Sequence, residues 1–160
     1  MMIKPIQTLV LCAMGWPALM LADAQASPAL PPNPPDCITA AAAHHQVSPY
    51  ILRAIAWQES RLNPAAVNRN RNGSVDYGAM QINSIHLPRL AAFGVDEKRL
   101  MEPCVSAYVG AWLLREQFER YGNSWQAVGA YHSRTPALNA RYAAGVRRTL
   151  ARWGVELALQ

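Results

Sequence analysis

The stretch Ser48-Pro49-Tyr50-Ile51-Leu52-Arg53-Ala54-Ile55-Ala56-Trp57-Gln58-Glu59-Ser60, followed after a polar turn by Asp76-Tyr77-Gly78-Ala79-Met80-Gln81-Ile82-Asn83, decides how this chain is read. Leu52 and Ile55 recur at helical spacing, Glu59 takes the next place on that stripe and Leu62 continues it, so an acid stands where a Leu would normally go. Ser48 suits the N-cap and Pro49 the first helical position of a helix running to about Ser60, with Asn63-Pro64 beyond it as the stop. Burial beside apolar side chains disfavours a charged carboxyl, so Glu59 is expected to hold its proton to near neutral pH and to serve as an acid. A lone Glu would more simply pair with Arg61 or Arg53 on a solvated face; the second quoted run argues against that simpler account.

Outward from this helix the pattern stays helical. Periodicity predicts a short helix over about 38–46, helical segments around 80–93, a long helix over about 103–121 stopped by Gly122, one over about 125–132 and one over about 136–153. Residues 67 to 77 are different: Asn68, Asn70, Asn72-Gly73 and Asp76 lie between Val67 and Tyr77, and Asn-Gly between apolar residues predicts a small hairpin. No internal repeat is visible. The same asparagines imitate the start of a calcium loop, but the first ligand position lacks a carboxylate, Arg69 and Arg71 add positive charge, and Ala79 stands where a bidentate Glu is needed. A turn is the better use of them.

The N-terminus reads as a signal peptide over 1–26. Lys4 marks its positive end, Thr8 to Leu21 is largely apolar, and Ala22-Asp23-Ala24 or Ala24-Gln25-Ala26 offers a cleavage site. The apolar run is shorter than the roughly 20 residues of a membrane span and is interrupted by Pro17. Residues 27–36, with Pro28, Pro31, Pro32, Pro34 and Pro35, read as an extended Pro-rich linker, and the folded domain is expected over 37–153. A periplasmic or otherwise exported location follows.

Loss of residues 1–26 removes Cys12 and leaves Cys37 and Cys104, an even count in an exported chain, which predicts one disulfide closing a long loop. A metal site built on Cys37 with His44 and His45 lacks any Cys-x-x-Cys pair and has its histidines adjacent, so no metal is expected. With 51% hydrophobic and 16% charged residues the chain is globular rather than disordered. The segment removed carries one base and one acid, so the net charge stays at +5. A basic exported domain suits an acidic polymer. No nucleic-acid motif is present, and the lactyl and peptide carboxylates of a bacterial cell wall fit better than nucleic acid.

Taken together, Glu59-Ser60, Tyr77-Gly78-Ala79-Met80-Gln81-Ile82-Asn83 and Ala130-Tyr131-His132-Ser133 resemble the signature of lytic transglycosylases with the soluble-transglycosylase domain. The resemblance runs from about Cys37 to Leu150. It is close to the small exported enzymes, paired cysteines included, that accompany type III secretion, type IV secretion, conjugation or pilus machines. It implies a mainly α, lysozyme-like fold with a small β-hairpin next to the active-site cleft. It implies an enzyme, expected to be a monomer without a cofactor, that cleaves the MurNAc–GlcNAc bond of peptidoglycan glycan strands and leaves a 1,6-anhydroMurNAc end. Its partners would be components of such a machine.

On that resemblance Glu59 is the catalytic acid and then base, and Ser60, Gln81, Asn83 and Tyr131 are substrate-binding, with Ser60 also holding the turn beside the acid. Gly78 would let backbone and glycan approach closely, or simply make a turn. Two departures stand out: the family commonly has Leu at Ala79 and Asn at His132, the second of which bears on the groove wall near Tyr131. The segment from Glu59 to Asn83 is also similar to that of animal-type lysozymes, which would make Asp76 a second carboxylate and the reaction hydrolysis. Against this, Asp in a turn commonly serves as a hydrogen-bond acceptor. A third account is a non-catalytic glycan-binding subunit that keeps the fold.

Overall fold

The computed structural model describes residues 37–159; the expected signal peptide and Pro-rich linker lie outside them. The described chain runs α1 (Cys37–His44), α2 (Pro49–Ser60), β1 (Val67–Arg69), β2 (Val75–Tyr77), β3 (Ile82–Asn83), α3 (Leu87–Leu90), α4 (Pro103–Tyr121), α5 (Trp125–Ala130) and α6 (Pro136–Arg152). Single 3-10 turns at Ser84–His86, Ala91–Phe93 and Arg99–Met101 join the middle segments. A mainly helical chain with a small β element is thus observed as expected.

Helix α2 packs against α1, α4 and α6. Its Leu52 and Ile55 are wholly buried, together with Ala41 and Ala42 of α1, Leu114 of α4, Val128 of α5 and Val146 of α6. Each Leu, Ile or Val among them contributes about 2 kcal/mol of burial. The Ser48 hydroxyl accepts from the Ile51 N–H with Pro49 behind it, as the sequence predicts. The helix ends at Ser60, where the sequence pattern places its end. Arg61 turns left-handed at φ 59°, and the Leu62 N–H reaches back to the Ala56 carbonyl at 3.3 Å, a Schellman-type stop with Arg where Gly is usual. The stop leaves Glu59 and Ser60 in the last turn.

The β element is larger than a hairpin. Strand β2 pairs antiparallel with β1 and with β3, so the order is β1-β2-β3. The helical pattern expected from Met80 therefore starts too early: Ile82–Asn83 are a strand, and helix-like turns begin only at Ser84. Apolar Met80 and Ile82 are both buried, and alternation over so short a run cannot be told from a helix face. Between β2 and β3 the chain reverses at Gly78 (φ +74°), where an added Cβ would lie 2.1 Å from the Leu100 carbonyl oxygen and 2.9 Å from the Ser106 hydroxyl. Gly78 thus permits close approach of the sheet to α4 and its lead-in, rather than of backbone to a glycan.

Cys37 and Cys104 are joined, with Cα atoms 4.8 Å apart, so the first turns of α1 and α4 are bound together across 67 residues. Among the described residues no helix is long and apolar enough to cross a membrane.

Candidate active site

Register places the polar residues of the sheet in one row. Asp76 of β2 is flanked by its register partners Asn68 of β1 and Asn83 of β3, and in a pleated sheet residues in such a row share a face. The Asp76 carboxylate is accordingly surrounded by amides: Asn83 donates to Oδ1 at 2.6 Å, and Asn70 and Asn68 donate to Oδ2 at 2.9 and 3.3 Å. Asn83 also donates to the Ser74 hydroxyl at 3.0 Å and accepts from the Ile85 N–H at 3.0 Å. The asparagines that imitate a calcium loop thus hold the hairpin around Asp76.

This face forms one wall of a groove of about 820 Å³. Glu59 from the end of α2, Gln81 from the β2–β3 turn, and Tyr131 and His132 after α5 line it together with Asp76, Asn83 and Arg71. Four of the residues singled out in the sequence with Glu59 (Asp76, Gln81, Asn83 and Tyr131) therefore meet it in one place. Ser60 does not line the groove. Its hydroxyl donates to the Ala79 carbonyl at 2.8 Å, tying the last turn of α2 to the β2–β3 turn. Its place beside the acid is structural support rather than contact with the groove.

Gln81 sits at φ +48°, an uncommon backbone for a residue with a side chain. Its Nε2 donates to the carbonyls of Gly78 at 2.9 Å and Ala66 at 3.2 Å, which holds that conformation in place. Tyr131 donates its hydroxyl to the Met80 carbonyl at 3.0 Å, and burial keeps the phenol protonated well above its ordinary range. Both side chains thus fasten the β2–β3 turn while presenting a surface to the groove.

Glu59 is half-buried, and no ion pair with Arg61 forms. Arg61 instead donates to the Trp57 carbonyl at 2.9 Å and lies over the Trp57 ring. Loss of water raises the Glu59 pKa from 4.5 to about 7; a hydrogen bond from Tyr142 acts in the opposite sense, and the negative charge of Asp76 adds to the rise. The Tyr142 hydroxyl donates directly to Glu59 Oε1. Reading the sequence missed Tyr142, because a Tyr on the apolar stripe of α6, between Asn139 and Val146, looks like core. It is core by exposure, at 8%, with only its hydroxyl delivered to the acid. The ring of His132 lies flat on it, with centroids 4.9 Å apart and planes 2° from parallel.

The arrangement is a polar groove with one carboxyl whose raised pKa poises it to give up a proton near neutral pH and a second carboxyl ringed by amide donors. A second hollow, of about 550 Å³ between the start of α2, α4 and Leu157–Leu159, contains no residue of these motifs.

The chain is similar to known proteins. The family model described as "Transglycosylase SLT domain" matches residues 36–145. The chain is 46% identical over 101 residues to "Invasion protein IagB" of Salmonella typhimurium, covering 62% of this chain and 63% of that protein. It is 46% identical over 101 residues to "Protein IpgF" of Shigella flexneri (62% and 66%), and 38% identical over 99 residues to "X polypeptide" of Escherichia coli (61% and 59%). The matched part thus spans less than two thirds of each of these relatives. Among solved structures, the lytic transglycosylase Slt of Pseudomonas aeruginosa, in an inactive mutant form, superposes with a TM-score of 0.61 at 18% identity, over 74% of this chain and 23% of that one. The lysozyme-like fold expected from the sequence is therefore observed.

Proposed function

Because this chain belongs to the transglycosylase SLT domain family, we propose that it is a peptidoglycan lytic transglycosylase in which Glu59 is the single acid and base. Glu59 in its protonated form gives its proton to the oxygen between MurNAc and GlcNAc as the bond from that oxygen to the anomeric carbon breaks, the electron pair staying with the oxygen. The C6 hydroxyl of the same MurNAc then attacks the anomeric carbon, and the Glu59 carboxylate removes its proton. A 1,6-anhydro ring closes without water, and Glu59 ends protonated again. The observation that carries this reading is the half-buried Glu59 carboxyl on the groove wall, its pKa raised to about 7.

Asp76 supports the same chemistry at a distance. Its charge raises the proton affinity of Glu59, and both its oxygens already accept amide hydrogens, which makes them poorer nucleophiles. Gln81, Asn83 and Tyr131 are the groove-wall residues assigned to sugar contacts. Because Asp76 faces the same groove as Glu59, hydrolysis by a lysozyme-type pair is the second reading. The relatives named for invasion support local wall opening for a secretion, conjugation or pilus apparatus in the periplasm as the biological setting.

Digestion of purified sacculi followed by mass analysis of the muropeptides tests this directly. Anhydro products, lighter by one water than hydrolytic ones, are expected; reducing-end products would assign the chain to the hydrolases. Absence of any cleavage by correctly folded protein would favour a non-catalytic glycan-binding subunit.

A further inference from the structure

His132 stands where the resembled family commonly has Asn, and the structure gives it a specific task. We propose that His132 is a positioning residue: by lying flat on the Tyr142 ring it fixes the phenol in the orientation that donates to Glu59, and through that bond it tunes the acid. The inference rests on Glu59 being the acid of the proposed reaction.

A phenol ring can flip about its own axis without moving its hydroxyl, whereas a swing about the Cα–Cβ bond carries the hydroxyl away. Flat contact at 4.9 Å obstructs that swing on the face His132 covers. The support is itself held. His132 and Ser133 donate their backbone N–H groups to the Gly129 carbonyl at 3.2 and 3.1 Å, and the buried Asn139 donates to the carbonyls of Ser133 and Gln126 at 3.1 and 3.0 Å. Asn139 comes this close because residue 129 is Gly: a Cβ there would lie 2.2 Å from its Oδ1. Asn139 and Tyr142 are three residues apart on α6 and so share a face. One helix face therefore supplies the phenol and clamps the loop whose imidazole steadies it. His132 is itself exposed and lines the groove, so a polar ring suits the place better than a purely apolar one.

Arg71 and His132 also line the groove; the ionisable groups that act on Glu59 or feel its charge are Asp76 from β2, Tyr131 after α5 and Tyr142 from α6. Of these only Tyr142 favours the carboxylate, by donating to it. Loosening Tyr142 therefore moves the Glu59 midpoint upward.

The test is a carbon-13 carboxyl NMR titration of Glu59 in the parent, His132→Ala, His132→Phe, Tyr142→Phe and the His132→Ala/Tyr142→Phe double variant, paired with pH profiles of wall cleavage. His132→Ala and Tyr142→Phe should each raise the midpoint, the latter by about half a pH unit or more. His132→Phe, which keeps a flat ring, should restore the parent midpoint, and the double variant should shift no further than Tyr142→Phe alone. The descending limb of the activity profile should move with the NMR midpoint. An unchanged midpoint in His132→Ala, a null effect of Tyr142→Phe, or simple additivity in the double variant would each overturn the proposal. The titration does not need turnover, so a protein with the predicted midpoints and no wall cleavage would count against the proposed reaction and leave the positioning role standing.

Discussion

Glu59 carries opposing demands. Its folded pKa, raised from 4.5 to about 7, means that the native state holds this proton more tightly than the unfolded chain does. The stabilisation from that proton is complete below about pH 4.5 and is lost as pH rises through about 7. Glu59→Gln keeps an acceptor for Tyr142 but has no charge to bury. Urea unfolding near pH 8 should therefore find the variant more stable than the parent, by on the order of 3 kcal/mol, with the difference vanishing in acid. The same variant should lose nearly all wall clearing, since the proton donor is gone, while its circular dichroism is unchanged. In the parent, cleavage should decline about tenfold per pH unit above about 7, as the protonated fraction falls. Glu59 was legible in the sequence because it breaks an apolar stripe. Tyr142 was not, because it obeys one.

The elements show where periodicity stops being informative. Helix α2 could be read residue by residue, cap and Pro included, because twelve residues give the pattern room to repeat. Strand β3 has two residues and no period of its own; it exists because β2 offers an edge and because Gly78 brings the turn against Leu100. Substituting Gly78→Ala should therefore act through the whole β2–β3 corner. It forces a Cβ onto a carbonyl and a side chain into the left-handed region, and a loss of about 2–4 kcal/mol is expected in the denaturant midpoint. Cleavage should fall as well, because Gln81 and the Met80 carbonyl that receives Tyr131 belong to the same turn. Ala79, where the family commonly has Leu, borders a small apolar hollow of about 50 Å³ with Leu62 and Ala107. Ala79→Leu should partly fill it and raise stability by about 1 kcal/mol, read in the same denaturant experiment.

At the scale of the whole molecule, two cysteines and an export pattern sufficed to predict the one covalent link, since pairing was the sole arrangement left to an even count. What they could not reveal is which helices it joins. The Cys37–Cys104 bond closes a loop of 67 residues, and removing it should cost up to about 4 kcal/mol. Thermal unfolding with and without reductant, and of a Cys37→Ser/Cys104→Ser variant, should show matching losses. The bond also decides how the protein bears load. The described chain begins at Cys37, one covalent step from the base of α4, the longest of the described helices. A pull through the leading segment is therefore passed sideways into α4 instead of peeling α1 away from α2, and the turn that carries Glu59 stays off the line of force. Tension applied ahead of Cys37 therefore loads the α1–α4 pair first and leaves Glu59 in register with the groove it lines.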